Sequence, residues 1–451
     1  MSVARELAEF LTRMSYADLP PQAVEHATML IASTIASAAF GAGITSASII
    51  RALAREQGGR AEASIWFDTG PKLPVAVAAW VNAVMSDAAA SDDSDLRNIV
   101  HAGTTLVSTA LATAERTGAS GQDVLTAIVL GYEASGRIGE AITPGFRQKG
   151  FHGCLVAIFA GAVATGRLLG LDAARMAQAI ALSATSIGGL AAAANTSVAR
   201  EYHAGLAAML GVQAALAAEK GFVAEESILE TRQGFFEVYG GTDGAGVTRD
   251  LGKEWDIITD MAIKLVPGGH PYHALAEAAA NAARAGDVSP GEVEAIVLSR
   301  PGVTALSGPR HPTDLIDMAH SPAYFLAAGV ADRGFSWVHA TEAKISNPVI
   351  HQLIDKVSVG APPTEEVERY KQGATVTIRT KDGRTFLNTV YAPKGAGLLG
   401  IAWADVDAKY RTLVPKAGLS VQQIGASLQV IHDFRHVKHV SALIDLLQVG
   451  S

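Results

Sequence analysis

Cysteine is almost absent from this sequence, which has one, Cys154, in 451 residues. One thiol can form no internal disulfide, and it cannot ligate an iron–sulfur cluster, which needs several thiolates. A reducing, cytoplasmic environment is therefore expected. Charged residues make up only 18% of the chain, the net charge is −8, and no basic run is present. This pattern argues against nucleic acid as a partner, and an anionic substrate would have to be bound by local cations.

Long hydrophobic runs are also missing. The N-terminal segment carries charges at Arg5, Glu6 and Glu9 and has no apolar centre, so it is not typical of a signal peptide. The most apolar stretch, residues 155–166, is shorter than the roughly 20 residues that cross a bilayer, and it predicts a buried core helix. We therefore expect no membrane partner. Since 49% of the residues are hydrophobic, the chain can bury a large core.

The pattern up to about residue 262 predicts one helix after another. Asp18-Leu-Pro-Pro predicts the start of a helix that runs to about Phe40, and Asp172 predicts an N-cap. Ser120 and Asp123 fit a capping box. Because many of these segments are rich in alanine, glycine and serine, we expect helix backbones that approach closely in a layered core.

The pattern changes after residue 262. Residues 293–299 predict a strand, and residues 374–380 and 385–391 alternate at period two around an Asp-Gly pair, which indicates a hairpin. Two helices, roughly 318–332 and 347–356, are expected between these strands. The predicted fold class is mainly α. It consists of a large helical domain, residues 1–262 and 396–451, with an inserted smaller α+β lid domain, residues 263–395.

Several motifs have two interpretations. Gly395 to Gly400 matches G-x-G-x-x-G, but no βαβ alternation surrounds it, so nucleotide binding is not expected. His270-Pro-Tyr-His273 is a weak metal pattern, and no H-E-x-x-H motif is present. We therefore predict neither a cofactor nor a metal. Residues 92–95, Asp-Asp-Ser-Asp, are typical of a solvated loop, with orientation of a catalytic histidine as the alternative. Cys154 is interpreted as a buried apolar residue, with a thiol nucleophile as the alternative.

Histidines share several segments with arginine or lysine. Imidazole can move protons near neutral pH, and cations can bind carboxylates, so these segments are candidates for acid–base chemistry on an organic acid. The pairs are Arg97 with His101, Arg147 and Lys149 with His152, Arg200 with His203, and Lys264 with His273.

The order of these segments resembles the MmgE/PrpD family of 2-methylcitrate dehydratases, cis-aconitate decarboxylases and iminodisuccinate epimerases. The segments that carry the resemblance are Ser91-Asp-Asp-Ser94 with His101, Gly150-Phe-His152, Arg200-Glu-Tyr-His-Ala-Gly205, LGKEWDIITDMAIKLVP, His273-Ala, His320-Ser-Pro-Ala-Tyr324 and Tyr391-Ala-Pro-Lys-Gly395. The resemblance implies a helical domain formed by both chain ends, an α+β lid and a homodimer.

The resemblance also implies the site residues, which would share one cleft. The catalytic candidates are His101, His152, His273, Tyr324 and Lys264, and the substrate-binding candidates are Asp93, Ser94 and Arg200, to which Lys149 and His203 are added from their own segments. Arg200 stands where the family has a lysine. Because arginine stays charged, we expect Arg200 to bind a carboxylate and not to move a proton.

The resulting hypothesis is a cofactor-independent lyase of the dehydratase type. It would remove a proton α to a carboxylate of a small di- or tricarboxylic acid, with His101 or His152 as base and Tyr324 or His273 as acid. Arg200 and Lys264, with Lys149 as a further candidate, would bind carboxylates and stabilise the developing enediolate. An epimerase, an isomerase or a decarboxylase of the same family is the alternative. A metal-dependent hydrolase and an inactive binding protein are alternatives of other classes.

Overall fold

The computed structural model describes residues 1–186, 188–241 and 244–450 of the chain. Within it the chain divides into two compact units, one formed by Met1–Ile263 with Ile401–Ser451 and the other by Lys264–Gly400. We call them the helical unit and the α+β unit.

The helical unit is built from α-helices and one very short pair of strands. Its helices are Val3–Arg13, Pro21–Gly41, Thr45–Gln57, Val75–Ala88, Ala102–Thr117, Gly121–Ile142, Gly145–Gln148, Cys154–Leu168, Ala173–Ala184, Ala191–Thr196, Ala199–Glu219, Phe235–Tyr239, Asp256–Thr259, Trp403–Leu413, Val421–His432 and Ser441–Ile444. Its strands, Asp93–Asp95 and Met261–Ile263, pair antiparallel, with Ser94 opposite Ala262.

Local capping signals begin several of these helices. Ser120 accepts from the Asp123 N–H and Asp123 reaches back to the Ser120 N–H, which completes the predicted capping box. Asp172 caps the helix that begins at Ala173, also as predicted. The helix predicted from Asp18-Leu-Pro-Pro begins at Pro21 and ends at Gly41.

The centre of the helical unit is formed by helices that are apolar on all sides. In Cys154–Leu168 the residues from Cys154 to Gly166 are all buried. Among the described residues, Pro21–Gly41 is the helix long and apolar enough, by length and composition, to cross a membrane, and 83% of its most apolar window is buried inside the protein. Packing in the core therefore accounts for its composition.

Glycine allows close helix contacts in this core. A Cβ at Gly211, in the helix Ala199–Glu219, would lie 2.8 Å from the carbonyl oxygen of Ile158 and 3.0 Å from the backbone nitrogen of Ala162. The backbones of these two helices therefore touch where a side chain would separate them.

The α+β unit has a four-stranded mixed sheet and several helices. The strand order is Val357–Val359, Val293–Ser299, Ala374–Thr380 and Thr385–Val390; the first pair is parallel and the others are antiparallel. Its helices are His273–Ala285, Leu315–Ala319, Pro322–Asp332, Glu342–Ile345 and Pro348–Ile354. Gly383, at the predicted hairpin turn, has φ of 88°. The predicted fold class, mainly helical with a small mixed sheet in the C-terminal part, is confirmed.

Short 3-10 helices complete the described structure. They are Tyr16–Asp18, His270–Tyr272, Pro290–Glu292, Trp337–Ala340, Val367–Arg369, Gly397–Leu399, Val414–Ala417, Phe434–His436 and Asp445–Leu447. The Gly395–Gly400 motif thus contains a single 3-10 turn, Gly397–Leu399. It does not open a long helix of the kind that binds a dinucleotide.

Candidate active site

The acidic segment 92–95 is buried, so its interpretation as a solvated loop is wrong. Asp92, Asp93, Ser94 and Asp95 are each at most 1% exposed. Pairing with Met261–Ile263 holds this segment inside the helical unit. Buried carboxylates need partners, so each of these side chains is expected to have a defined role.

Asp93 anchors the start of the next helix. Its carboxylate accepts from the Gly103 N–H at 2.9 Å and from the Tyr132 hydroxyl at 3.2 Å. A Cβ at position 103 would lie 2.6 Å from Oδ1 of Asp93, which is why glycine fits there. Burial, and secondarily the negative Asp93, raise the pKa of Tyr132 well above its usual value, so its phenol keeps its proton.

His101 lies at the N-cap of the helix Ala102–Thr117 and is oriented by the acidic segment. Its Nδ1 is 2.6 Å from the carbonyl oxygen of Asp93 and 2.9 Å from Oδ2 of Asp92. The hydroxyl of Ser94 lies 3.2 Å from the same nitrogen. Since Nδ1 faces two acceptors, it carries the proton in the neutral ring, and Nε2 is left as the basic nitrogen. This is the geometry of an oriented general base.

His152 and His203 lie side by side in the same unit. Their ring centroids are 5.3 Å apart, and the backbone N–H of His152 donates to Gly189 at 2.9 Å. Burial lowers the pKa of His152 well below its usual value, and positive charge on His101 adds to this effect. Burial also lowers the pKa of His203, against the influence of Asp87. Both rings are therefore neutral at neutral pH.

Arg200 forms a buried ion pair. Its Nε donates to Oδ2 of Asp87 at 2.7 Å, and its Nη2 donates to the Asp87 carbonyl oxygen at 2.7 Å. The attraction of Asp87 and Asp92 outweighs burial and raises the pKa of Arg200. The guanidinium thus stays charged, and a substrate carboxylate would meet it with one edge already engaged by Asp87.

Two further cations of the predicted segments bind backbone carbonyls. Arg147 donates to Asn98 at 3.1 Å and to Ile99 at 2.7 Å, which holds the turn that leads to His101. Lys149 donates to the carbonyl oxygens of Glu237 (3.1 Å) and Val238 (2.7 Å). The ammonium of Lys149 is therefore tied to the helix Phe235–Tyr239.

Three predicted residues belong to the α+β unit. Lys264, its first residue, is 3% exposed. His273 begins the helix His273–Ala285, and its ring stacks on Phe325 with centroids 5.9 Å apart. Tyr324 is completely buried, and its hydroxyl donates to the carbonyl oxygen of His339 at 2.9 Å. Burial raises the pKa of Tyr324, so this phenol holds its proton firmly.

His273 also lines a cavity of about 240 Å³ within the α+β unit. The cavity combines apolar walls with charged groups: Leu265, Val266, Phe335, Glu277, Arg284 and Lys394. Burial raises the pKa of Glu277, against a hydrogen bond and the positive charge of Lys394.

A larger cavity in the helical unit, about 410 Å³, surrounds Arg97. Arg97 pairs there with Glu140, Asp256 and Asp260. Because three carboxylates already pair with this one guanidinium, the cavity offers little net attraction to a further carboxylate. We therefore place the candidate site at the histidines and not at this cavity.

Sequence reasoning missed Asp87, the partner of Arg200. A usable signal was present, because Asp87 is the one charged residue in the apolar segment 75–90, VAVAAWVNAVMSDAAA. A charge inside a buried helix requires an opposite charge nearby. The orienting role considered for residues 92–95 agrees with the contacts of Asp92 and Asp93 to His101.

The helical unit therefore contains a candidate acid–base site, whose members are the neutral imidazoles of His152 and His203, the carboxylate-oriented His101 and the buried guanidinium of Arg200. The chain belongs to the MmgE/PrpD family: the MmgE/PrpD N-terminal domain matches residues 5–247, and the MmgE/PrpD C-terminal domain matches residues 267–429.

Proteins similar to this chain include three named cis-aconitate decarboxylase. The human protein is 24% identical over 99% of this chain and 95% of its own length. The mouse protein is 26% identical over 85% of this chain and 81% of its own. The Aspergillus terreus protein is 29% identical over 62% and 60%. The chain is accordingly a lyase-like enzyme of this family.

Proposed function

We propose that this chain is a lyase that removes the proton α to a carboxylate of a small di- or tricarboxylic acid, with His101 as the base. The observation that carries the proposal is the placement of His101 Nδ1 against the Asp93 carbonyl oxygen and the Asp92 carboxylate. This placement leaves Nε2 to accept a proton, and the carboxylate stabilises the imidazolium that forms.

The proposed reaction is a dehydration. Nε2 of His101 takes the α-proton, and the electron pair of the C–H bond forms a carbon–carbon double bond. The hydroxyl on the β-carbon leaves as water after it receives a proton from solvent, and His101 then returns its proton to solvent. Arg200, whose charge is maintained by Asp87, binds a carboxylate and stabilises negative charge that develops on it.

His152 supports this reaction as a neutral group. Its lowered pKa keeps a second positive charge away from His101, so the imidazolium formed on His101 is not opposed by another one. A neutral His152 can also accept or donate a hydrogen bond at the substrate.

Decarboxylation is a second candidate, because the relatives from human, mouse and Aspergillus terreus are named cis-aconitate decarboxylase. In that reaction the bond to one carboxylate breaks, carbon dioxide leaves, and a protonated imidazole delivers a proton to the remaining carbon. The same residues would serve both reactions in different protonation states.

The test is proton NMR in deuterated water with the full chain and a panel of small hydroxy di- and tricarboxylates, together with the unsaturated tricarboxylate cis-aconitate. Dehydration is expected to give a new unsaturated acid and exchange of the α-proton. Loss of carbon dioxide from cis-aconitate would identify the decarboxylase, and inverted stereochemistry without elimination would identify an epimerase. Ligand-induced thermal stabilisation without turnover or exchange of any compound would contradict the proposal.

His101→Gln is expected to lower kcat by about 10²- to 10⁴-fold, because the base is lost. His436→Gln, at an exposed histidine of the same unit, is the matched control and should leave kcat unchanged. Asp92→Asn tests positioning: kcat should fall with little change in KM, since the imidazolium formed in the reaction loses its carboxylate. A His101→Gln enzyme with full activity would exclude His101 as the base.

A further inference from the structure

Three side chains of the types that ligate metal ions lie close together in the helical unit. His152, Cys154 and His203 each offer one ligand atom, and these atoms all lie within 4.8 Å of one another. Cys154 is 3% exposed and is the first residue of the helix Cys154–Leu168. Its Sγ lies 3.8 Å from the carbonyl oxygens of His152 and Gly188. These two contacts are long, weak hydrogen bonds in which the thiol donates.

Each of the two imidazoles in this cluster has one buried ring nitrogen that makes no hydrogen bond to the part of the chain that the structure describes. Among the residues that the structure describes, Nδ1 of His152 and Nδ1 of His203 are buried without a hydrogen-bond partner. A buried polar nitrogen without a partner is costly, so these atoms point to a ligand that the protein binds.

Glycine lets the backbone at position 189 approach two of the ligand atoms closely. A Cβ at Gly189 would lie 2.7 Å from Sγ of Cys154 and 3.2 Å from Nδ1 of His203. A side chain at this position would therefore displace the thiol and the imidazole nitrogen, and the backbone carbonyl of Gly189 accepts from the N–H of His152.

We propose that His152, Cys154 and His203 bind a thiophilic divalent transition metal ion of the Zn²⁺ type. One thiolate and two imidazoles are a ligand set that zinc prefers, with bonds of about 2.3 Å to sulfur and 2.0–2.1 Å to nitrogen. Tetrahedral geometry places such ligand atoms roughly 3.3–3.7 Å apart, so the side chains must close by about 1 Å. The Cys154 thiol releases its proton to solvent as the sulfur–metal bond forms.

Three protein ligands leave one coordination position open to water or to a carboxylate. A metal ion on His152 would occupy the neighbourhood of His101, so the bound ion is expected to inhibit the enzyme. This expected inhibition rests on the proposed function, whereas metal binding itself does not.

The test is titration of the metal-free full chain with Co²⁺, followed by absorbance. The wild type is expected to bind one Co²⁺ per chain and to show a thiolate-to-cobalt charge-transfer band in the near ultraviolet. Loss of a supporting residue typically costs about 10- to 100-fold in metal affinity, so Cys154→Ser should weaken binding at least about tenfold and abolish the band. Gly189→Ala should weaken binding because its methyl group would push against Sγ of Cys154 and Nδ1 of His203. His436→Gln should bind as the wild type does.

A second measurement does not depend on how the Cys154 variant folds. Because Cys154 is the single cysteine, alkylation followed by mass spectrometry reports this thiol alone. Zn²⁺ should slow the alkylation of Cys154 in the wild type. In His203→Gln the factor by which the same Zn²⁺ concentration slows alkylation should be at least about tenfold smaller. A wild type without the charge-transfer band, or with alkylation unaffected by Zn²⁺, overturns the metal site. Activity that disappears in chelator and returns with metal would overturn the cofactor-free reaction and leave the metal site standing.

Discussion

At the scale of single residues, the ion pair between Arg200 and Asp87 places a full positive charge inside the helical unit. The side chains are 13% and 2% exposed, so each charge depends on the other for its solvation. The same pair fixes the guanidinium plane through two hydrogen bonds, and under the proposed function the remaining edge would bind a carboxylate.

Removing Arg200 is expected to affect stability as well as activity. Arg200→Ala leaves Asp87 buried without its partner and should lower the free energy of unfolding by about 3–5 kcal/mol. Arg200→Lys keeps the positive charge but loses the planar guanidinium with its paired N–H donors. It should therefore raise KM more than it lowers kcat. Urea denaturation and steady-state kinetics check the two outcomes. An unchanged KM in a folded Arg200→Lys enzyme would remove Arg200 from substrate binding.

Asp95 is expected to make stability depend on pH. Burial, with a further contribution from Asp260, raises its pKa to about 7, although Arg97 and the backbone N–H groups that it accepts from act in the opposite direction. The charge on Asp95 also acts on Asp256 and on Tyr132, whose pKa values it raises. Because the folded state holds this proton and the unfolded chain releases it near pH 4, the contribution of Asp95 is complete below about pH 4 and is lost as pH rises through 7.

Asp95→Asn is expected to reduce this dependence, because the amide imitates the protonated acid. Between pH 5 and 8 the free energy of unfolding of the wild type should fall more than that of the variant, by about 1–3 kcal/mol. Urea denaturation at pH 5, 6, 7 and 8 measures the difference. Parallel curves for the two proteins would show that Asp95 does not titrate in this range.

Residue identities indicate which side chains suit the candidate site, but they do not indicate its contacts. His101, His152, His203 and Arg200 are candidates because imidazole and guanidinium suit acid–base chemistry on carboxylates. The sequence could not show that Asp87 meets Arg200, because 113 positions separate the two residues and their contact depends on tertiary packing. Nor could it show that Tyr324 donates its hydroxyl proton to a backbone carbonyl.

At the scale of elements, local signals predicted helix starts and the hairpin. The Ser120–Asp123 capping box and the turn at Gly383 depend on neighbouring residues, so sequence contains the needed information. The pairing of Asp93–Asp95 with Met261–Ile263 was not predicted. Its strands have three residues each and lie far apart in the chain, so no local period reveals them.

Helix contacts through glycine should be sensitive to a single methyl group. Gly211→Ala places a Cβ 2.8 Å from the carbonyl oxygen of Ile158 and should cost about 1–3 kcal/mol in unfolding free energy. Gly425→Ala is the matched control, since this exposed position in the helix Val421–His432 has no atom within 4 Å of its Cβ. It should stabilise the protein by about 0.5–1 kcal/mol. Equal thermal shifts for both variants would argue against tight contact at Gly211.

At the scale of the whole molecule, we expect a homodimer that buries part of the helical unit. Leu190, Val198 and Tyr202 are large apolar residues that are 61%, 49% and 45% exposed. Light scattering should give twice the chain mass of 46.7 kDa at micromolar concentration. Tyr202→Glu should shift the protein toward monomer. Val421→Glu, at an exposed apolar residue outside this group, is the comparison and should leave the dimer intact. A wild type that stays monomeric would contradict this expectation.

The buried ammonium of Lys409 connects the last part of the chain to the acidic segment. It donates to the Ser33 hydroxyl at 2.7 Å and to the carbonyl oxygen of Ser91, next to Asp92. Lys409 follows every proposed site residue in the sequence, so translation adds it after all of them. A product that stops at Gly400 should be inactive in the NMR assay although its site residues are all present.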